Sequence, residues 1–344
     1  QRNTVNADGS FTGAWSAAQT LTSVGAQSVS YTYVYTRANP SSVATNPANL
    51  YIFGGCTAPA AGAGCTAGNS YSQNVYKCNI TSSGTVAGCT TTGQQPIGTV
   101  TGALNPGLGI HAGTVYANYI YLIGGVADGQ SDLRTVRYAK FDDNNNVVGV
   151  SEASWTTSSV QMNNGRRRGA AFGYNGYLYS VGGYDASTAQ SLDSIEFVKI
   201  NVSDGSLVST NNLFKKSAVT INQRWGLSLA VSNSYAYVIG GCKDGASPTC
   251  NANGLDATVQ TFQIYNNNSG APAGYTPSTN SYSTERQGAS SAIHNGYIYV
   301  AGGCISGTDI CTSTTDSVEF ATIGDDGVIG TWATTTARHR RLRR

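Results

Sequence analysis

Five stretches of this chain alternate aromatic and aliphatic residues for a few positions and then end in a pair of glycines. They read NLYIFGG at 49–55, ANYIYLIGG at 117–125, NGYLYSVGG at 175–183, NSYAYVIGG at 233–241 and NGYIYVAGG at 295–303. Such short runs, bounded by turn residues, predict β-strands, and the Asn-Gly-like pair ahead of each predicts a tight hairpin turn. The same order of elements recurs around every run. An arginine-led strand comes first (RRGAAFGY, RQGASSAIH), then the turn, the aromatic strand and Gly-Gly. A variable loop follows, then a third strand (DSIEFVKI, DSVEFATI), an Asp-Gly hairpin turn and a fourth strand. The glycine pairs start at 54, 124, 182, 240 and 302, so neighbouring copies lie 70, 58, 58 and 62 residues apart. A period of that order marks repeated supersecondary units.

The units run from about 25 to 92, 108 to 157, 166 to 215, 224 to 276 and 286 to 336, the first with an insertion, RANPSSVATNP, ahead of its second strand. Residues 1–18 match the closing hairpin VEFATIGDDGVIGTWATT at 318–335, which puts Trp15 and Trp332 in equivalent places. Four antiparallel strands form a sheet that cannot bury both faces alone. Stacking such sheets radially buries them, so the expected fold is an all-β propeller of four-stranded antiparallel blades. Five blades are nearly complete. Residues 1–18 supply a partial one, and 338–344 form a basic tail or the start of a further blade. The expectation is one propeller domain cut from a six- or seven-bladed parent.

Paired glycines after an aromatic–aliphatic strand, an arginine opening the unit and a Trp near its close resemble Kelch repeats. The ending DG-x-x-G-x-W, seen at Asp326 to Trp332 and more loosely at Asp8 to Trp15, is similar to Kelch-like arrays of large bacterial surface proteins. The resemblance covers essentially the whole chain and implies a secreted or cell-surface setting. Two features depart from it. The period exceeds the usual ~50 residues, and cysteines are untypical of intracellular Kelch proteins.

Composition changes this picture little. Charged residues make up 11% of the 344, against 42 Gly and 21 Tyr, which suits short strands joined by turns. No apolar run approaches the roughly 18 residues of a membrane helix, so membrane insertion is not expected. Five arginines at 338, 340, 341, 343 and 344 leave residues 1–337 with a net charge of −3, which argues against broad nucleic-acid binding.

The eight cysteines fall into near pairs: Cys56 with Cys65, Cys78 with Cys89, Cys242 with Cys250 and Cys304 with Cys311. Three pairs follow a glycine pair directly, and the fourth flanks a turn. Disulfides pinning loops fit these repeat-equivalent places, and they point to an oxidising location. Metal binding is the alternative, although neither Cys-x2-Cys spacing nor a His partner accompanies them. Possible glycosylation sites stand at Asn79, Asn201 and Asn267.

Arg166, Arg224 and Arg286 each precede the first glycine of their unit by the same interval, so they recur around one face. Guanidiniums there could grip carboxylate or phosphate. Equally, they could bind backbone carbonyls or the acids at the third-strand starts, Asp193, Asp256 and Asp316, and a repeated residue favours that scaffold role. The neighbours that do not repeat (Arg167, Arg168, Trp225, Gln287 and His111) are better binding candidates, provided the inter-unit loops and the post-glycine loops share a face. The tyrosine pairs 119/121, 177/179, 235/237 and 297/299 offer a stacking platform for sugars. Their i, i+2 spacing instead predicts a sheet-to-sheet core.

Catalysis is not expected. The three histidines, 111, 294 and 339, make a copper radical site improbable. Glu152, Glu196, Glu285 and Glu319 form no adjacent acid/base pair. The run Asp142–Asn146 suggests calcium, but Asp and Asn are favoured in the hairpin turn it occupies. No cofactor or metal is expected. The tail RHRRLRR reads as a first strand, a protease-sensitive junction or a contact for anionic polymers. The reading is a non-catalytic extracellular binding or adhesion module contacting protein or cell-surface glycan through loops 56–74, 184–193, 242–257 and 304–316. The alternatives are a self-assembling subunit of an extracellular layer or filament, and a secreted carbohydrate-active enzyme.

Overall fold

In a computed structural model, each aromatic strand is the second strand of a four-stranded antiparallel sheet. The structure describes residues 5–11, 32–36, 48–55, 71, 75–81, 86–90, 108–127, 132–141, 155–243, 250, 254–264, 269–278, 280–307 and 311–335. The first blade comprises Thr32–Thr36, Ala48–Phe53, Val75–Ile80 and Val86–Thr90. The second comprises Ala112–Tyr116, Tyr119–Ile123, Val136–Lys140 and Thr156–Thr157. The third has Ala170–Tyr174, Tyr177–Val181 and Ser194–Ile200, with Leu207–Val208 and Lys215–Thr220 both paired to its third strand. The fourth has Ser228–Ser232, Tyr235–Cys242, Leu255–Ile264 and Pro272–Pro277. The fifth has Ser290–His294, Tyr297–Ala301, Val318–Thr322 and Ala333–Thr334. The leading strands of successive blades are neighbours in chain order, which is the radial stacking of a propeller.

The Asn-Gly dipeptides do what their composition requires. Asn175 and Gly176 take φ of 47° and 78°, and Asn295 and Gly296 take 49° and 76°, the left-handed pair of a type I′ hairpin turn. Tyr174 then faces Tyr177, and His294 faces Tyr297. Ala117-Asn118 and Asn233-Ser234 make the same turn with less suitable residues.

The tyrosine pairs lie in the core between blades, as their spacing predicts. Tyr119 and Tyr121 of the second blade pack with Leu178 and Val198 of the third. Tyr179 joins Val238 and Phe262 of the fourth, and Tyr237 joins Ile298 and Val300 of the fifth. The pair also grips the neighbouring blade's hairpin. A Cβ on Gly205 would come within 2.3 Å of the Tyr119 ring, on Gly270 within 2.4 Å of Tyr177, and on Gly327 within 2.6 Å of Tyr235. Each turn glycine therefore lies flat against the first tyrosine of the preceding blade, where no side chain fits. The second tyrosine donates its hydroxyl to that glycine's carbonyl: Tyr121 to Gly205 at 3.0 Å and Tyr179 to Gly270 at 2.7 Å.

Residues 5–11 form one more such hairpin, closed by a Val5–Phe11 bridge. Asp8 Oδ1 accepts from both the amide and the hydroxyl of Ser10, as Asp204 Oδ1 does from Ser206. This hairpin sits against the fifth blade. Tyr299 donates to the Gly9 carbonyl at 3.0 Å, the Tyr297 ring covers Gly9, and Phe11 meets Tyr299 edge-on. The N-terminal hairpin therefore takes the place of a sixth blade's outer edge.

Cys242–Cys250 and Cys304–Cys311 are disulfides, with S–S distances of 2.07 and 2.17 Å. Cys78 is disulfide-bonded too, and the strand that carries it pairs with the strand holding Cys89. The expected Cys56–Cys65 bond lies outside the described residues, as do residues 12–18, the sequence Asp142–Asn146 and the tail 338–344. Among the described residues, no helix is long and apolar enough to cross a membrane.

The clamp separates two otherwise identical substitutions. The Tyr237 hydroxyl is buried without a hydrogen-bond partner, whereas the Tyr179 hydroxyl has one. Tyr179→Phe should therefore cost about 1–2 kcal/mol by orphaning the Gly270 carbonyl, and Tyr237→Phe should be neutral or stabilising. Urea unfolding of the two variants measures both.

Candidate functional site

Where successive blades meet, each glycine pair faces the leading residue of the next blade. The second glycine donates its N–H to that residue's carbonyl: Gly55 to Leu108 at 2.9 Å, Gly125 to Arg166 at 2.8 Å, Gly183 to Arg224 at 2.9 Å and Gly241 to Arg286 at 2.9 Å. The glycines sit at φ between 57° and 106° at these junctions, and a Cβ on Gly124 would lie 2.4 Å from the Arg166 carbonyl oxygen. Glycine is required there on both counts.

The arginine side chains turn back into their own blades. Arg166, Arg224 and Arg286 are buried, and each donates from Nη1 to the first glycine of its own pair, Gly182, Gly240 and Gly302, at 2.9, 3.0 and 3.0 Å. Each then meets a buried carboxylate. Arg224 pairs with Asp256 at 2.9 Å, as its third-strand position suggests. Arg166 and Arg286 do not pair with Asp193 and Asp316; they pair with Glu196 and Glu319, farther along the third strand. Strand register explains the difference. Glu196 and Glu319 lie opposite Ser180 and Val300 of the aromatic strand, and the other carboxylate oxygen accepts the amide of Asn163 (2.6 Å) or Ser283 (2.5 Å). In the fourth blade Gln260 holds that place, opposite Val238, and accepts the Asn222 amide at 3.0 Å. An uncharged amide cannot balance the guanidinium, and Asp256 does so instead.

The second blade inverts the pattern. Leu108 stands in the arginine place, and Arg137 occupies the acid's place opposite Leu122. His111 is buried beside them, with its ring carbon near Gly54 and its Cβ near Gly125. Burial, then the positive charge of Arg137, pushes its pKa from 6.5 down to about 3.

One position after the leading residue, the chain bridges to the residue that follows the glycine pair of the same blade. The pairs are Gly109 with Val126, Arg167 with Tyr184, Trp225 with Cys242 and Gln287 with Cys304. Inter-unit segments and post-glycine loops therefore share a face. Two of those loops are closed by the disulfides just described. One position further, Ile110, Arg168, Gly226 and Gly288 all take left-handed φ (58°, 55°, 63° and 62°). They form a chain of main-chain bonds between blades: Arg168 N to Ile110 O (3.1 Å), Gly226 N to Arg168 O (2.8 Å) and Gly288 N to Gly226 O (2.7 Å). Isoleucine there carries real strain, since β-branched residues avoid this region. The glycines at two of the four aligned places were the sequence's only sign of this chain.

Of the binding candidates, Arg166, Arg224, Arg286, Trp225, Gln287 and His111 are buried, and only Arg167 and Arg168 are partly exposed. Trp225 packs on the Cys242–Cys250 disulfide with Tyr184 and Leu255, and Arg168 lies 4.7 Å over its ring. Arg167 lies 5.3 Å over the Tyr184 ring, with its Nε 3.4 Å from the Asp132 carboxylate. Burial raises the Asp132 pKa against the pull of Arg167, and the carboxylate also accepts the Ala186 amide at 2.7 Å. Asp185 accepts from the Ser187 amide and from Asn164. The loop tip that this cluster supports, residues 186–190, is exposed throughout. From sequence, Glu196 and Glu319 are considered only as catalytic acids, and neither Asp132 nor Asp185 is singled out; the shared Glu of DSIEF and DSVEF is the available signal for the ion pairs.

Five radially stacked sheets with this junction define a β-propeller. The chain carries a Kelch motif at residues 285–319, which spans the fifth blade's arginine, glycine pair and acid. Among solved structures it is similar to one described as "Structure of YjhT", with a TM-score of 0.55 and 12% identity over 90% of this chain and 84% of that one. The Kelch-type propeller fold is thus shared at very low identity. No curated protein matches the chain.

Arg166→Met should cost about 3 kcal/mol or more by leaving Glu196 buried without its cation, and Arg166→Met with Glu196→Gln should recover most of that loss. Denaturant unfolding of the single and double variants tests the pairing. His111 gives a pH signature. The unfolded chain binds a proton at this residue below pH ~6.5 and the folded chain only near 3, so its contribution to stability is complete above 6.5 and falls as pH drops through that window. Relative to His111→Gln, the native protein should lose up to about 1.4 kcal/mol per pH unit between 6 and 4, read from melting at each pH.

Proposed function

We propose that this propeller is a non-catalytic binding module working outside the cytoplasm, with its contacts on the face that carries the post-glycine loops. The observation behind this reading is the division of labour at each junction. The repeated arginines are bound inside their own blades, while the position after each leading residue varies from Gly109 to Arg167, Trp225 and Gln287 on one backbone geometry. A rigid frame holding different side chains at equivalent points suits recognition better than chemistry. Disulfides bracing two loops of that face fit an oxidising compartment. The exposed tip 186–190, backed by Arg167 and Asp132, is the first contact we assign, and its partner is a cell-surface protein or glycan.

Fluorescently labelled protein with its disulfides intact should bind cells saturably. Replacing residues 186–190 with a Gly-Ser linker should weaken binding at least about tenfold with an unchanged melting temperature, as expected for a contact loop outside the folding core. Binding indifferent to exchange of this loop and of the loops after Cys242 and Cys304 would overturn the assignment. Concentration-dependent filaments in sedimentation would support a structural subunit instead, and glycan turnover an enzyme.

A further inference from the structure

The two disulfides that close loops on the post-glycine face stand in different surroundings. Cys242 and Cys250 are both fully buried, and Trp225, Tyr184 and Leu255 pack in one cluster with them. Cys78 is buried as deeply. In the fifth blade, the place that Trp225 holds in the fourth belongs to Gln287, and Cys311 is exposed together with Thr312. Its partner Cys304 is only 8% exposed. One half of this bond therefore faces solvent while the other is covered by the blade.

A thiol that exchanges with a disulfide must reach one of its sulfurs, so exposure decides which bond reacts. The ribbon that carries Cys304 and Cys311 is also held in place without their bond. Its strands, Cys304–Gly307 and Cys311–Thr314, pair antiparallel, with Cys304 opposite Thr314 and Gly307 opposite Cys311. Cys304 N donates to the Gln287 carbonyl at 2.8 Å, Gln287 N returns to the Cys304 carbonyl at 3.0 Å, and Thr315 N donates to the Gly303 carbonyl at 3.0 Å. Cys304 Sγ lies 3.1 Å from the Ser306 carbonyl oxygen, and Cys311 Sγ lies 3.1 Å from that of Ser313. Each carbonyl can accept an S–H once the bond opens, so both thiols of the reduced form have an acceptor in place. The same anchoring keeps the two sulfurs within reach of one another for reoxidation.

We propose that Cys304–Cys311 is a reversible thiol–disulfide exchange site whose substrate is a dithiol, and that Cys242–Cys250 is inert under the same conditions. A thiolate of the reductant attacks Cys311 Sγ and forms a mixed disulfide there. The Cys304–Cys311 bond breaks, and Cys304 Sγ leaves with the electron pair and takes up a proton. The reductant's second thiolate then attacks its own sulfur in the mixed disulfide and displaces Cys311 Sγ, which is protonated in turn. The dithiol ends as a disulfide, and its two electrons and two protons end on Cys304 and Cys311. Exchange unties the fifth blade's post-glycine loop while the blade beneath it stays folded. This chemistry does not depend on the loop being a contact surface.

Limited reduction of the full chain tests this. Dithiothreitol is added without denaturant, free thiols are blocked with iodoacetamide at timed intervals, and peptide mass spectrometry reads each cysteine. Cys304 and Cys311 should become labelled together, at least about a hundredfold faster than Cys242 and Cys250, whose sulfurs are reached only when the structure opens. Oxidised glutathione should then restore the bond. Reduced glutathione, a monothiol, should leave its adduct on Cys311. Labelling of the two pairs at similar rates overturns the proposal, as does reduction of Cys304–Cys311 only where denaturant unfolds the chain. A bond that oxidised glutathione fails to restore overturns its reversibility, and an adduct on Cys304 overturns the order of attack.

Discussion

The propeller depends on one main-chain hydrogen bond, from the second glycine of each of the first four pairs to the carbonyl that leads the next blade. A β-sheet whose edges and faces must be covered by another sheet needs a fixed distance and angle to that neighbour. A backbone bond made by a residue without a side chain fixes both. Because the glycine holds a left-handed conformation and a Cβ would strike the opposing carbonyl, the bond and the Gly-Gly pattern are two aspects of one constraint. The outer rim uses the same logic in another form. There, a turn glycine lies against one tyrosine ring and its carbonyl accepts the hydroxyl of a second. Between the second and third blades and between the third and fourth, inner and outer clamps together hold the sheets at two points, and the apolar core between them fills the space so defined.

The arginine is subordinate to that bond. It closes its own blade by binding the first glycine's carbonyl and a buried carboxylate, which neutralises a charge that burial would otherwise make costly. The second blade shows that the junction survives without it. Leu108 offers its carbonyl to Gly55 at the same 2.9 Å as Arg224 and Arg286 offer theirs to Gly183 and Gly241, with no arginine in the leading position.

The fold was legible because its determinants are local. Gly-Gly, Asn-Gly and paired tyrosines each encode a backbone shape or a strand face within a few residues, and their repetition removes the ambiguity of any one copy. The burial of the repeated arginines also followed from repetition. What escaped was whatever depends on register between strands. Asp193 and Asp316 are the nearer acids in sequence, yet Glu196 and Glu319 meet the guanidiniums from places opposite Ser180 and Val300, two residues ahead of the glycine pair. Only in the fourth blade, where Gln260 removes the acid from that place, does Asp256 take over. The left-handed positions at Ile110 and Arg168 were hidden for a different reason. Neither residue type favours that conformation, so only alignment with Gly226 and Gly288 betrays them.

A repeated frame with a main-chain junction also determines where sequence can vary. Positions that need a particular side chain (the glycines, the tyrosines, the acid or its substitute) are buried in the clamps. The position after the leading residue makes its bridge to the post-glycine residue through N–H and C=O, so its side chain is set by local packing alone: at Gly109 a Cβ would lie 2.4 Å from the Tyr71 ring, whereas Trp225 fills the space beside a disulfide. Gly109, Arg167, Trp225 and Gln287 fill it in turn without moving the chain. Trp225 is the instructive case: it packs on the Cys242–Cys250 disulfide and carries Arg168 on its face, yet its indole N–H has no partner. Burying such a donor costs about 1–3 kcal/mol. Packing is what offsets that cost: Trp225 is buried in one cluster with Tyr184, Cys242, Cys250 and Leu255, so the varying position of the fourth blade serves to seat the disulfide-closed loop on the frame.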